Sequence, residues 1–192
     1  MSADEPDNVS EKVEIPGFVL INNFISEEEE MELLEAINDG HWVSNRTKDR
    51  RVQVFGPYHN AQYKIIPDKF SEHPVWAQRL AKRIQTLNID SNACKLTDPK
   101  LCEGYTNEYS DGAGIYYHTD HRSTYDECIY GISFNCDGYL GFKQGSEFAK
   151  KVKIPRRSLY IMAGESRYNY KHGISPGWVT DTRVSVTFRT IY

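Results

Sequence analysis

The sequence has few cysteines, no long apolar stretch and no excess of basic residues. The 192 residues include four cysteines, none of them in the C-x-x-C spacing typical of structural zinc sites. Their number allows disulfides, but without a secretory signal we favour free thiols in a reducing compartment. No apolar run approaches the roughly 18 residues that a membrane-spanning helix requires, so we expect no membrane partner. With a net charge of −4, the chain as a whole does not attract nucleic acid, and any such binding must depend on local basic patches.

Length and composition favour a single globular domain. Hydrophobic residues make up 39% of the chain and charged residues 26%, as in ordinary globular proteins, and no internal repeat or interdomain linker is visible. We therefore expect residues 15–192 to form one domain. Residues 1–14 are acidic and polar and lack the basic start and apolar core of a secretory signal. We expect a disordered tail there and a cytoplasmic or nuclear location.

The first part of the chain predicts one short strand, Gly17–Phe24, and two helices. The first helix begins at Ser26, which forms a capping-box pattern with Glu29, and ends at Gly40. The second runs from about His73 to Leu87. The apolar positions expected to face the core are Met31, Leu33, Leu34 and Ile37 in the first helix and Val75, Trp76, Leu80 and Ile84 in the second.

From Leu101 onward the sequence consists of short β-type runs separated by Gly, Asp, Asn and Pro. The predicted strands are Glu103–Tyr109, Ile115–His118, Ile129–Asn135, Tyr139–Lys143, Ser158–Ala163 and Arg183–Tyr192. Such a series indicates a sandwich or barrel. The predicted fold class is α+β: a double-stranded β-helix (jelly roll) with the N-terminal helices packed on one of its sheets.

Three residues of the C-terminal half have the pattern of a metal site. In an extended segment His118 and Asp120 point to the same side, and His172, followed by a glycine that allows close backbone approach, can join them from another strand. Two imidazoles and one carboxylate can hold one face of an Fe(II) ion and leave the opposite face open. Three other histidines have no such partners in the sequence and are expected at the surface or in the core: His41, His59 and His73. His121 directly follows Asp120 and could compete as a ligand, but alternation points it away from the side of Asp120, so we expect it beside the metal ligands or at the surface.

The last predicted strand carries two arginines in strict alternation with apolar residues. Alternation places Arg183, Ser185, Thr187 and Arg189 on one face and Val184, Val186 and Phe188 on the other. The polar face could be the solvated side of an edge strand, or it could line the cavity that holds the metal. We favour the cavity, because a planar guanidinium can grip the distal carboxylate of 2-oxoglutarate with two hydrogen bonds.

The order of these residues resembles the AlkB family of Fe(II)- and 2-oxoglutarate-dependent dioxygenases. The matching positions are Asn107, Glu108, Tyr109, Gly112, His118, Thr119, Asp120, His172, Arg183 and Arg189. The segment Ile154–Tyr168, continued by Lys171–Ile174, is similar to the branch of that family that hydroxylates modified wobble uridine in tRNA. The resemblance extends over about Gly17–Arg189 and is most specific after Asn107.

The resemblance implies a role for each matching residue. His118, Asp120 and His172 would bind Fe(II), and Arg189 would lie near the metal-bound end of the cofactor and the substrate. The residues implied to hold 2-oxoglutarate are Asn107, Tyr109, Arg183 and Ser185, with Arg183 on the distal carboxylate. O2 would be the co-substrate, succinate and CO2 would leave, and a C–H bond of the substrate would become an alcohol. An alcohol on an N-linked carbon would collapse with release of formaldehyde.

Two basic regions could contact nucleic acid. In the segment 47–56, which corresponds to the substrate lid of AlkB-like proteins, Arg50 and Arg51 could contact phosphates. Phe55 of this segment, or Tyr58 or Tyr63 just after it, could stack on a base. The alternative is a solvated charged loop. The second cluster, which could follow an RNA backbone or simply be solvated, consists of Lys150, Lys151, Lys153, Arg156 and Arg157.

Three functional hypotheses follow. The first is an RNA-modifying dioxygenase that hydroxylates a modified uridine in tRNA, and the second is an oxidative demethylase of N-alkylated nucleic acid or protein. The third is a catalytically idle binding module on the same scaffold. Multidomain members of the tRNA branch carry an RNA-recognition domain and a methyltransferase. In this chain we expect a methyltransferase or RNA-binding partner protein, or a separate basic surface, to capture the substrate.

Overall fold

Two antiparallel β-sheets, packed face to face, form the body of the protein. The structure is a computed structural model that describes residues 15–44, 50–59, 62, 64–87 and 102–191. The larger sheet has the strand order β1-β10-β7-β12-β5-β3-β2, with β4 paired to β3, and the smaller has the order β6-β11-β8-β9. The predicted α+β jelly roll is confirmed. The acidic segment 1–14 lies outside the described residues.

The described residues form twelve strands and three helices. The larger sheet contains β1 (Phe18–Ile21), β2 (Val43–Ser44), β3 (Arg50–His59), β4 (Ile65–Ser71), β5 (Cys102–Tyr109), β7 (Tyr125–Phe134), β10 (Leu159–Met162) and β12 (Arg183–Ile191). The smaller contains β6 (Ile115–His118), β8 (Gly138–Gln144), β9 (Glu147–Ile154) and β11 (Lys171–Ile174). The helices are α1 (Glu27–Asn38), α2 (Val75–Gln85) and the short α3 (Gly164–Tyr168).

The first two helices pack on the outer face of the larger sheet. At the start of α1 the hydroxyl of Ser26 accepts a hydrogen bond from the backbone N–H of Glu29, as the capping pattern predicted. The buried stripe of α1 is Glu30, Leu33 and Ile37. Met31 and Val75 were expected in the core but are 63% and 73% exposed. Each lies next to, and not within, the row of residues that its helix buries against the sheet.

Two hydrophobic cores lie on opposite faces of the larger sheet. One fills the space between the helices and the sheet and includes Leu80, Val184 and Phe188. The other lies between the two sheets and includes Phe142 and Met162. The alternation of β12 therefore divides its side chains as predicted, with the apolar residues toward the helices and the polar ones toward the smaller sheet. The polar face is enclosed between the sheets instead of facing solvent.

Three features differ from the sequence predictions. The segment with Arg50 and Arg51 is not a loop: it belongs to the ten-residue strand β3, which pairs with β5 in the larger sheet. Segments 65–71, 147–154 and 171–174 are also strands. Cys102 and Cys136 form no disulfide, as expected, but Cys128 is disulfide-bonded, so the expectation was wrong for that residue. None of the helices described is long and apolar enough to cross a membrane.

Candidate active site

A polar cavity lies between the inner faces of the two sheets. Strands β12 and β5 place their polar residues side by side on its wall, in the cross-strand pairs Arg183–Tyr109, Ser185–Asn107 and Arg189–Glu103. The facing sheet contributes His118 and His172, and Asp120 follows β6. The structure thus brings the eight residues predicted for metal and cofactor to one cavity: Asn107, Tyr109, His118, Asp120, His172, Arg183, Ser185 and Arg189.

The two imidazoles and the carboxylate of the predicted triad are close enough to share one ion. His118 and His172 are directly paired on the neighbouring strands β6 and β11, and their ring centroids are 4.5 Å apart. Oδ2 of Asp120 lies 3.4 Å from Nε2 of His172. One ligand atom from each residue lies within 4.8 Å of the others. Because His172 lies far along the chain from His118 and Asp120, the pairing of β11 with β6 is what assembles the cluster.

The protonation states of the cluster suit a divalent cation. Nδ1 of His118 donates to the carbonyl oxygen of Tyr116 at 2.7 Å, so Nε2 carries the free lone pair. Burial raises the pKa of Asp120, but Arg189 and the two imidazoles outweigh it and lower the pKa to about 2. Burial lowers the pKa of His172 to about 4, against the opposing effect of Asp120. At neutral pH the cluster therefore offers the neutral imidazole of His172 and the carboxylate of Asp120, the forms that bind metal.

Two buried polar atoms of the cluster have no hydrogen-bond partner among the described residues. They are Oδ2 of Asp120 and Nδ1 of His172. An unpaired buried carboxylate oxygen is costly, and a bound cation would remove that cost. The donor set of two nitrogens and one oxygen, open on one side to the cavity, fits Fe(II).

A chain of buried polar contacts extends from Asp120 to residues that the sequence analysis did not single out. Nε of Arg189 lies 2.9 Å from Oδ1 of Asp120, although not in a hydrogen-bonding direction, and Nη1 of Arg189 donates to Glu103 at 2.7 Å. The hydroxyl of Tyr125 donates to the same Glu103 carboxylate at 3.0 Å, and Nε2 of His59 lies 3.0 Å from it. Because the residues in these contacts are 22 to 86 positions apart, no local sequence pattern predicts them.

Arg183 is a buried guanidinium on the wall of the cavity. Its side chain is 3% exposed, and its Nε donates to the hydroxyl of Ser133 at 3.1 Å. No carboxylate in the described part of the chain forms an ion pair with it, so its charge needs an anionic partner. Gly138 on the opposite sheet makes room for the side chain: a Cβ there would lie 2.7 Å from Cδ and Nε of Arg183. The amide oxygen of Asn107, on the same wall, is also unpaired within the described residues.

Arg50 is the one predicted substrate residue that the structure brings beside this cavity. It pairs with Tyr109 across β3 and β5, while Arg183 pairs with Tyr109 from the other side, so the three residues form a row across the sheet. Both guanidinium carbons lie 5.7 Å from the centroid of the Tyr109 ring. Arg50 lines a second cleft, which shares Ile115 and Ile174 with the first cavity.

The other predicted substrate residues lie elsewhere. Arg51 is on the opposite face of the sheet, where it makes two hydrogen bonds of 2.6 and 2.8 Å with Glu108. The phosphate contact predicted for it stays a prediction. Phe55 packs edge-on against Trp76 of α2 and cannot stack on a base at the cavity. Tyr58 lies toward the other end of β3 beside Lys69, and Tyr63 lies outside the described residues.

Comparison with known proteins agrees with this geometry. Residues 17–189 match the model of the 2OG-Fe(II) oxygenase superfamily, and the chain belongs to that superfamily. It is therefore a dioxygenase, an oxidoreductase that uses Fe(II), 2-oxoglutarate and O2. Membership favours an enzyme over a catalytically idle binding module.

Curated relatives connect the chain to AlkB-type proteins. It is 30% identical to the uncharacterized protein L905 of Acanthamoeba polyphaga mimivirus over 91% of this chain and 85% of that protein. It is 30% identical to the tRNA (carboxymethyluridine(34)-5-O)-methyltransferase ALKBH8 of Mus musculus, over 91% of this chain but 26% of that protein. It is 29% identical to the DNA N6-methyl adenine demethylase of Caenorhabditis elegans, over 92% of this chain and 60% of that protein. The resemblance to the AlkB family is confirmed.

A solved structure has the same fold. OsALKBH1 superposes with a TM-score of 0.62 at 14% sequence identity, over 91% of this chain and 97% of that one. At this identity the likeness concerns the fold alone.

Proposed function

We propose that the chain oxidises nucleic acid, and that its substrate is a modified uridine in tRNA, which it hydroxylates on carbon. The observation that carries the proposal is the cleft beside the His118–Asp120–His172 cluster. Arg50, Tyr116 and Tyr117 line it together with small and apolar residues, and no carboxylate of the described residues does. A positive group beside aromatic rings suits a nucleotide, whose base stacks while its anionic group is neutralised.

In this proposal the two sheets hold the cofactors. His118, Asp120 and His172 would bind Fe(II) on one face, Arg183 would grip the distal carboxylate of 2-oxoglutarate, and Asn107, Tyr109 and Ser185 would line its binding site. When bound, Fe(II) with 2-oxoglutarate and O2 supplies the oxidation: succinate and CO2 form, and one oxygen atom enters a C–H bond of the substrate. The protein's part is to orient the reactants and to exclude water from the cavity.

The position of Tyr116 supports a substrate site next to the metal cluster. Its side chain is 90% exposed, an unusual state for a tyrosine in a strand, and it lies two residues before His118 on β6. Its backbone carbonyl accepts the hydrogen bond from His118, so the strand fixes Tyr116 relative to that imidazole. A base stacked on this ring would enter the region in front of the cluster without opening the core.

The guanidinium of Arg50 provides a binding group for the anionic part of the proposed substrate. Its Nε and Nη1 are buried without a hydrogen-bond partner among the described residues. It lies on the cleft side of Tyr109, whereas Arg183 lies on the cavity side. We infer that Arg183 binds the cofactor carboxylate and that Arg50 binds an anionic group of the nucleotide.

The experiment is turnover of tRNA with Fe(II), 2-oxoglutarate and ascorbate, followed by mass spectrometry of the released nucleosides. We expect succinate formation to match the appearance of a uridine derivative heavier by one oxygen atom. Asp120→Ala should form neither, and Arg50→Met should raise the tRNA concentration required. Succinate formation that never responds to tRNA, together with unchanged nucleosides, would contradict the proposal.

A second candidate is oxidative demethylation of N-alkylated nucleic acid, which the similarity to the Caenorhabditis elegans DNA N6-methyl adenine demethylase favours. The same cleft would then present an N-methyl carbon to the metal. Formaldehyde released in proportion to succinate, with loss of N6-methyladenine from DNA, would select this activity. A stable hydroxylated nucleoside without formaldehyde would select the first.

A methyltransferase or RNA-binding partner protein and a cytoplasmic or nuclear location stay predictions. The chain matches about a quarter of the mouse methyltransferase, so a partner could supply the remaining steps. Crosslinking the tagged protein in cells, followed by identification of the bound RNA and protein, tests the predicted partner.

A further inference from the structure

The smaller sheet has two different faces. Its inner face carries Phe142 and His172, which are directly paired on β8 and β11 and point into the core and the metal cavity. The next pair along these strands, Lys143 and Lys171, therefore points outward. The outward side also carries Lys151 of β9, which is paired with Gly141.

The pairing of Lys143 with Lys171 is unfavourable for folding. Like charges directly opposite each other on one face of a sheet repel. Neither these two lysines nor Lys151 forms an ion pair with a carboxylate of the described residues. A cost of this kind is offset when a polyanion binds across the lysines.

Aromatic rings hold two of these ammonium groups in place. Nζ of Lys143 lies 4.2 Å from the centroid of the Tyr117 ring. Nζ of Lys151 lies 3.9 Å from the Tyr139 ring and 4.6 Å from the Trp178 ring. Such contacts reduce the freedom of a lysine while its N–H donors stay available to a ligand.

Glycine at the centre of the face makes this arrangement possible. A Cβ on Gly141 would lie 2.1 Å from the hydroxyl of Tyr117 and 2.8 Å from the Trp178 ring. The rings of Tyr117 and Trp178 therefore occupy the space that a side chain at position 141 would fill. The face is built to carry rings and lysines at fixed positions.

Neighbouring cations in the same region are neutralised. Lys153 pairs with Asp137 at 2.8 Å, Arg157 with Glu27 at 3.5 Å, and Arg156 with the buried Glu30. Four members of the basic cluster predicted from the sequence thus differ in role. Lys153, Arg156 and Arg157 form ion pairs within the fold, whereas Lys151 lies with Lys143 and Lys171 on the outer face.

We propose that this outer surface, the basic face, binds the phosphate backbone of the RNA substrate; the inference rests on the proposal that the substrate is nucleic acid. The basic face consists of Lys143, Lys151 and Lys171 with the rings of Tyr117, Tyr139 and Trp178. Strands β6 and β11 lie between the basic face and the metal cluster, because His118 and His172 point from the other side of the same two strands. Since β6 is an edge strand, a bound strand of RNA passes over that edge, beside the exposed Tyr116, to reach the cavity.

The test compares two full-length variants that lose the same charge. Lys143→Gln/Lys171→Gln alters the basic face, and Arg79→Gln/Lys82→Gln alters exposed positions of α2. Affinity for unmodified oligouridylate and for tRNA is measured at several salt concentrations. We expect the first variant to bind about tenfold more weakly, with a salt slope smaller by about 1 to 2, because fewer counterions are released. The α2 variant should bind as the wild type does.

Each outcome decides a different point. Equal affinity and equal salt slope of the two variants, with unchanged melting temperatures, would overturn the inference even if tRNA is hydroxylated. Loss of binding confined to the first variant supports the inference. This holds even if the modified nucleoside is not uridine, because that result would contradict the proposed reaction and not the basic face. Competition by poly-glutamate as strong as by RNA would assign the face to acidic protein and overturn the assignment to RNA.

Discussion

Nε of Arg189 lies 2.9 Å from Oδ1 of Asp120, so the carboxylate of the candidate metal triad also contacts a buried positive charge. Desolvation lowers the pKa of Arg189, but Asp120 and Glu103 outweigh it and raise the pKa, so the guanidinium stays charged. Glu103, which is 2% exposed, supplies a second negative charge on its far side. The carboxylate of Glu103 thus limits how strongly Arg189 competes with a metal for Asp120.

Glu103→Gln should weaken metal binding without touching a ligand. The change keeps a hydrogen-bond acceptor for Arg189 but removes the charge, so Arg189 acts more strongly on Asp120. We expect the affinity for Co(II), measured by anaerobic titration, to fall by about tenfold to a hundredfold. Glu108→Gln, which alters the ion pair with Arg51 on the opposite face of the sheet, is the control. Equal Co(II) affinities in the two variants would remove this role from Glu103.

Gly138→Ala should impair use of 2-oxoglutarate by displacing Arg183. The added methyl group would lie 2.7 Å from Cδ and Nε of Arg183, and the side chain must move away. We expect a several-fold rise in the KM for 2-oxoglutarate, and a rise of about tenfold to a hundredfold in Arg183→Met, which loses the charged hydrogen bonds. Co(II) affinity should be unchanged in both. An unaltered KM in Arg183→Met would assign the distal carboxylate to another residue.

Stability of the metal-free protein should depend on pH through His172. Its pKa is lowered from 6.5 to about 4, so between these values the unfolded chain binds more protons than the folded one. The free energy of unfolding should therefore fall as the pH is lowered from about 6.5 to 4, by about 3 kcal/mol in total. Urea unfolding at a series of pH values measures this. His172→Gln should flatten the dependence and exposed His41→Gln should keep it; the same curve for all three would refute the assignment.

Tyr116→Ala should reduce substrate affinity and leave the fold intact. The ring is 90% exposed, so its removal costs little stability, whereas loss of a stacked base weakens binding by about 1–3 kcal/mol. The KM for tRNA should rise by roughly five- to a hundredfold, with the KM for 2-oxoglutarate unchanged. Phe70→Ala removes another exposed ring, on β4 at the far end of β3, and should have no effect. Equal KM values would place the base elsewhere.

Local patterns predicted much of the fold and the cluster at its centre. The alternation from Arg183 to Arg189 and the H-x-D spacing of His118 and Asp120 depend only on the two-residue period of a strand. The helix start at Ser26 depends on neighbouring residues in the same way. Each of these features is complete within a few residues, which is why the sequence alone predicts it.

Features that depend on strand pairing could not be predicted in this way. Arg50 and Arg51 are adjacent in the sequence, yet the pairing of β3 with β5 turns Arg50 toward the cleft beside the cavity and Arg51 toward Glu108. Glu103 joins Arg189 across 86 residues of sequence. The register between β5 and its neighbours decides both, and no local pattern contains that register.

The most direct test of the central claim is the number of Fe(II) or Co(II) ions bound per chain under anaerobic conditions. We predict one ion for the wild type and none for His118→Ala, Asp120→Ala or His172→Ala, each verified as folded by its melting curve. Succinate formation should disappear with the ion. Wild-type metal content in any one of the three variants would contradict the assignment of His118, Asp120 and His172 to a single metal centre.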